Sequence, residues 1–168
     1  MTLRFICGAP GAGKSATADI LRSSQDDFLV FDIDWLAEPA GELAGRSIYT
    51  DPTTWKPYNA LWLQVLGMTI ANGARPLFFC PNSPADYADA VLPSGCSKIH
   101  WLLLDCDEDT RRERLQRRDW APAQIDEALE DADELRTMVE TAIDTSNTTP
   151  SEVASMVIEW ASTPLEEN

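Results

Sequence analysis

Leu3-Arg4-Phe5-Ile6-Cys7 runs directly into Gly8-Ala9-Pro10-Gly11-Ala12-Gly13-Lys14-Ser15-Ala16. The first five residues are apolar enough for one buried strand, and a helical pattern follows from about Lys14 to Ser24. Between them stands G-x-x-x-x-G-K-[ST], matched in full by Gly8, Gly13, Lys14 and Ser15. The glycines let the backbone curl so that successive N–H groups point inward, towards an anion. The helix behind them adds the positive end of its dipole to the same spot. In such a loop Gly8, Ala9, Pro10, Gly11, Ala12, Gly13, Lys14, Ser15 and Ala16 cradle phosphates. Lys14 reaches the β and γ groups, and the Ser15 hydroxyl serves Mg²⁺. A strand before the motif and a helix after it are the context that the motif needs.

The remaining chain repeats that alternation. Phe28–Phe31 reads as a second strand ending in Asp32-Ile33-Asp34, and residues 35–56 mix a short helix with loop signals. A helix opens near Pro57 and runs to about Asn72. Pro76–Cys80 is a third strand, followed by a short helix with Ser83 as N-cap and Pro84 first. Ile99–Leu104 is a fourth strand, and Asp107 caps a helix reaching about Arg118. A long helix follows Pro122, Thr141–Ile143 is a short fifth strand, and Thr149-Pro150-Ser151-Glu152 is a capping box for a last helix. Strands without polar alternation, each followed by a helix, predict an α/β three-layer domain with a parallel sheet. Residues 1–163 read as a single domain, with 164–168 a frayed tail.

Composition narrows the function. The 168 residues carry 28 Asp and Glu against 13 Lys and Arg, a net charge of −15. Such a balance argues against a broad nucleic-acid surface, which needs clustered cations. It leaves room for a small anionic ligand in a local positive pocket. No segment approaches the roughly 18 apolar residues of a membrane span, and the start lacks the regions of a signal peptide. The expectation is a cytoplasmic protein, monomer or homodimer, with no membrane partner. Cys7, Cys80, Cys96 and Cys106 show no metal spacing and read as reduced thiols. The single histidine, His100, lies in an apolar strand, so a histidine base is poorly supplied. The acidic run 126–140 reads as a solvated helix face.

Two further clusters carry chemistry. Asp32 and Asp34 stand two apart at the carboxyl end of the second strand, where open parallel sheets bind their ligands. One carboxylate there can hold a metal water, and another can orient an acceptor hydroxyl and take its proton. The alternative is that Asp34 caps a following helix. Arg111, Arg112, Arg114, Arg117 and Arg118 crowd eight positions of an otherwise acidic chain. Arg111, Arg114 and Arg118 fall on one helical face. Arginine stabilises the charge that phosphoryl transfer spreads over the equatorial oxygens; some of the five are expected only to pair with nearby carboxylates.

With the loop, FDID and LDCDEDTRRERLQRR in order, the chain resembles the small phosphate-loop kinases. These include shikimate and gluconate kinases, adenylate-kinase-like enzymes, chloramphenicol phosphotransferase and polynucleotide 5′-kinases. The resemblance implies a five-stranded parallel sheet of order 2-3-1-4-5, ATP and Mg²⁺ as cofactors, and a short lid at about 117–123. It implies Asp32 as a holder of a magnesium water beside Ser15, and Asp34 as base. It casts Arg114, Arg117 and Arg118 as catalytic and Arg111 as nucleotide-binding. The acceptor then lies under residues 35–72, with Trp35, Arg46, Trp55, Tyr58 and, past strand three, Asn82 as candidate contacts. Arg46 would meet an anionic acceptor. Cys80-Pro81-Asn82-Ser83-Pro84 replaces the segment that nucleoside monophosphate and shikimate kinases carry there, so the acceptor is expected to be another small molecule, such as a nucleoside, sugar or antibiotic. Two other readings share some of these parts: a polynucleotide 5′-hydroxyl kinase, and a nucleotide-driven switch or assembly module.

Overall fold

Five short segments pair side by side, and the three central ones are apolar and largely buried on both faces. The five are β1 (Thr2–Cys7), β2 (Phe28–Asp32), β3 (Arg75–Phe79), β4 (Lys98–Asp105) and β5 (Ala142–Asp144). The computed structural model describes residues 2–24 and 27–164. All pairings are parallel, and the sheet order is β2-β3-β1-β4-β5, as the resemblance implied. The helices are α1 (Lys14–Ser23), α2 (Ala37–Ala44), α3 (Trp55–Ala71), α4 (Glu108–Gln116), α5 (Pro122–Met138) and α6 (Pro150–Ser162).

The strand period of two divides the core. Leu3, Phe5 and Cys7 of β1 face α3 and α5, meeting Trp62, Leu66, Ala132 and Leu135. Ile6, with Leu102 and Leu104 of β4, faces α1 and α6, meeting Leu21, Val153 and Val157. Leu3, Phe5, Ile6 and Leu104 are fully buried, each contributing about 1.5–3 kcal/mol by transfer from water. Local signals fix the helix starts. Asp107 accepts from the Thr110 N–H at 2.7 Å, Thr149 and Glu152 form the capping box of α6, and Pro122 opens α5. Ser83 and Asp86 form a second box before a single 3₁₀ turn, Pro84–Tyr87.

Two boundaries that bear on the site differ from the sequence reading. β2 ends at Asp32, and a 3₁₀ turn, Ile33–Leu36, follows at once. Asp34 therefore sits in a turn, and the two aspartates do not share one face of a strand. α4 stops at Gln116, so Arg118 lies beyond the helix and not on the Arg111–Arg114 face. The link to α5 is a tight turn, with Asp119 in the left-handed region at φ 57°. Of the tail expected at 164–168, residues 165–168 lie outside the described residues.

Candidate functional site

Parallel strands bring every strand-to-helix loop to one edge of the sheet. The loop after β1 stands at its centre, between the ends of β3 and β4. Two glycines are required there. A Cβ on Gly8 would lie 2.5 Å from the Leu104 carbonyl oxygen, so the loop can seat on β4 only without a side chain. Gly13 precedes α1 at φ 93°, a left-handed conformation that glycine adopts without strain. The N–H groups of Gly11, Gly13, Lys14, Ser15 and Ala16 have no acceptor among the described residues. Converging donors of this kind, at a helix start, fit an anion.

Lys14 folds back over the loop and donates to the carbonyls of Gly8 and Ala9. Burial lowers its pKa, while Cys80, Asp32, Cys7 and Asp34 raise it. An ammonium so poorly solvated gains most from an anionic partner. Ser15 beside it is exposed, with its hydroxyl open to a metal.

Asp32, not Asp34, is the capping residue: its Oδ1 accepts from the Asp34 N–H at 3.0 Å. Burial raises the pKa of Asp32, and the Asp34 charge adds to that, against the opposing Asp34 N–H and Lys14. The cap leaves the Asp34 carboxylate exposed and without a hydrogen-bond partner among the described residues. It lines a cavity of about 480 Å³.

The cavity is walled by Tyr49, Trp55 and Tyr58 on one side and by Asn82 and Asp86 on another. Trp55 donates from Nε1 to the Ile48 carbonyl at 2.9 Å, and Tyr58 donates to the Ile33 carbonyl. The second bond fixes the Tyr58 ring against the turn that carries Asp34, and the first holds the Trp55 ring on the loop at Ile48. Asn82 has a buried Oδ1 with no partner. So the structure places Asp34, Trp55, Tyr58 and Asn82 around one space. It places Trp35 and Arg46 elsewhere. Trp35 lies under the Arg22 guanidinium, 5.5 Å from its ring centre. Arg46 donates to Thr53 at 3.1 Å and lies 3.8 Å from Asp51; neither residue lines the cavity. Trp62 is 1% exposed and belongs to the core, packed on Phe78.

The arginines divide by role. Arg111 is fully buried, so it reaches no ligand directly. It donates to the Pro10 carbonyl and, at 2.6 Å, to Asp105. Arg114 donates to the Gly11 carbonyl at 3.0 Å and to the Thr145 carbonyl at 2.6 Å. Both guanidinium groups hold the loop backbone in shape. Arg112 pairs with Glu108 and Asp126. Arg117 pairs with Glu113 while largely exposed, and Arg118 is exposed just past α4. These last two are the exposed arginines of the cluster.

Several residues escaped the sequence reading. Thr145, after β5, is 3% exposed and donates to the Ala12 carbonyl at 3.0 Å. Arg136 joins Arg111 on Asp105, at 2.6 Å from Oδ2. The face of α5 read as simply solvated carries Asp131 and Glu134 into the cavity wall beside Leu135. Asp131 stands three residues after the buried Ala128 and four before the buried Leu135, and that spacing is the signal that could have revealed this.

Residues 5–135 match the family model described as "AAA domain". The chain belongs to the AAA domain family. Within this family its fold is that of the small phosphate-loop kinases. A tunicamycin resistance protein of Deinococcus radiodurans is 21% identical, with both chains covered in full and a TM-score of 0.72. A sugar kinase from Janibacter sp. HTCC2649 is 18% identical over 95% of this chain and 94% of that one, with a TM-score of 0.63. Shikimate kinase from Aquifex aeolicus is 14% identical over 95% of both chains, with a TM-score of 0.61. No curated protein matches the sequence. At these identities the AAA domain family member shares a fold with the three. No helix among its described residues is long and apolar enough to cross a membrane.

Proposed function

We propose that this protein is an ATP-dependent kinase that phosphorylates a hydroxyl of a small molecule. One observation carries the reading: the carboxylate of Asp34 borders a cavity and lies within electrostatic reach of Lys14. A phosphate cradle beside a walled space is a donor site beside an acceptor site. A nucleotide switch needs only the first.

Magnesium-ATP, when bound, supplies the γ-phosphoryl group and a cation that neutralises its charge. The unpaired N–H groups of Gly11, Gly13, Lys14, Ser15 and Ala16 fit its phosphates, and Ser15 with Asp32 fits the metal. Lys14 leaves the Gly8 and Ala9 carbonyls for the phosphate oxygens. Asp34 would accept a hydrogen bond from the acceptor hydroxyl, orient it, and take its proton as the new O–P bond forms and the bond from the γ-phosphorus to its bridging oxygen breaks, with ADP as the leaving group. Trp55 and Tyr58 hold the flat or apolar part of the acceptor, and Asn82 reads a polar group on it. Arg117 and Arg118, on the short segment 117–123, close over the transferred group and stabilise its charge. Arg111 and Arg114 act as positioning residues through the loop carbonyls.

The neighbours described as a sugar kinase and a tunicamycin resistance protein suggest sugars and nucleoside-like antibiotics as first acceptors. The test is ADP release with magnesium-ATP across a panel of sugars, nucleosides, tunicamycin and shikimate. Stimulation by one acceptor, with a phosphorylated product of the right mass, supports the proposal. An acceptor-free rate that no compound raises favours the switch.

A further inference from the structure

The charges around the acceptor cavity are all of one sign. Asp34, Asp86, Asp131 and Glu134 lie on its wall, and no lysine, arginine or histidine of the described residues joins them. The one cation expected to serve an anionic acceptor, Arg46, is held by Thr53 and Asp51 outside the wall. Lys14 is the cation whose charge reaches Asp131 and Asp34, and the loop carbonyls or a phosphate claim it. Burial, then the charge of Glu134, raises the pKa of Asp131. The carboxylates are thus crowded, and Lys14 is the cation that partly offsets the charge of Asp131.

A second, independent feature points to a ligand. Asn59 is 8% exposed, lines the cavity, and its amide makes no hydrogen bond among the described residues. Asn82, on the same wall, has a buried Oδ1 with no partner, which is costly, and the Asn59 amide offers both a donor and an acceptor to whatever enters.

We propose that this cavity selects hydroxylated acceptors that are uncharged or carry a protonated amine, and rejects those bearing a carboxylate or phosphate. The proposal rests on the kinase reading and fixes the charge class of its substrate. An ammonium group meets Asp131 and Glu134 on the α5 side. An uncharged polar group meets the Asn59 amide. A carboxylate or phosphate in the same place meets like charge at short range, which specificity sites use to exclude competitors. A polynucleotide end would bring its phosphates against the same wall.

The test is binding of three matched aromatic alcohols, read by titration calorimetry with magnesium and a non-hydrolysable ATP analogue present. Phenylalaninol carries an amine, 3-phenyl-1-propanol is uncharged, and phenyllactate carries a carboxylate. Phenylalaninol and the neutral alcohol should bind about tenfold or more tightly than phenyllactate. Asp131→Asn combined with Glu134→Gln should shrink that gap; both side chains are exposed on α5, so the fold should survive. Equal response to the three probes, no response to any, tighter binding of phenyllactate, or a gap unchanged in the double variant would overturn the proposal. Binding is read without turnover. A charge preference with no phosphorylated product from any acceptor therefore sinks the kinase reading while leaving the selectivity standing.

Discussion

The two aspartates that look alike in FDID do different work because one turn separates them. Asp32 spends one oxygen on the Asp34 N–H, which anchors the turn and leaves Asp34 free beside the cavity. Asp34→Asn should lower acceptor-dependent turnover by about 10² or more, the usual contribution of a positioned base, with little change in nucleotide affinity. A rate near that of the parent protein would remove Asp34 from the chemistry. Asp32→Asn keeps the capping acceptor and deletes the charge. Asp32 has a pKa raised above 3.8 in the folded protein, so the native state holds that proton more tightly than the unfolded chain. Its contribution to stability is then greatest with the carboxyl protonated, and ionisation costs stability as pH rises through the range above 3.8. At neutral pH, Asp32→Asn should melt at the same temperature as the parent or higher, yet lose activity at low magnesium. A clear fall in melting temperature at pH 7 would contradict this account of Asp32. Lys14→Met should abolish transfer without lowering the melting temperature of the nucleotide-free protein, because the buried ammonium is poorly solvated there.

At the scale of elements, α4 is a brace for the phosphate loop. Local spacing showed five arginines on it or just past its end. Which of them touch the phosphate loop depends on contacts across about a hundred residues, such as Arg114 to Gly11, and no local pattern encodes those. Arg111 is wholly buried on Asp105. Arg111→Met removes one partner of a buried pair and should cost about 3–5 kcal/mol in chemical denaturation. Arg136 still faces Asp105 from α5, which should hold the loss to the lower end of that span. Arg117 pairs in the open with Glu113, an interaction worth about 0.3–0.5 kcal/mol. Arg117→Ala should leave stability almost unchanged and reduce turnover. If instead Arg117→Ala destabilises the fold and spares the rate, the division of arginines into braces and ligand contacts fails.

For the molecule as a whole, the strands and helix starts were legible because they rest on short-range rules, whereas the sheet order came only from the resemblance. Apolar segments without polar alternation announced buried parallel strands. Asp107, Pro122 and Thr149 announced helix starts. Gly8 and Gly13 announced a curled loop, and only the structure showed it pressed against β4. The acceptor site was half legible. Trp55, Tyr58 and Asn82 meet Asp34 at one cavity, whereas Trp35 and Arg46 turned to partners on their own side, Arg22 and Thr53. A tryptophan or arginine in a loop has many places to go, and its sequence neighbours do not choose among them. The acidic face of α5 was hidden for the same reason: an amphipathic pattern shows which side is buried, not what the other side overlooks.

The central claim is that the loop at Gly8–Ser15 and the cavity beside Asp34 form the two halves of one transfer site. The most direct measurement is ADP release by the parent protein and Asp34→Asn, with each product examined by mass spectrometry across a panel of uncharged and amine-bearing acceptors. The account predicts acceptor-dependent release, a phosphorylated acceptor in equal amount, and loss of both in Asp34→Asn while ATP analogue binding persists. Release that no acceptor stimulates, at the same rate in Asp34→Asn, would contradict it.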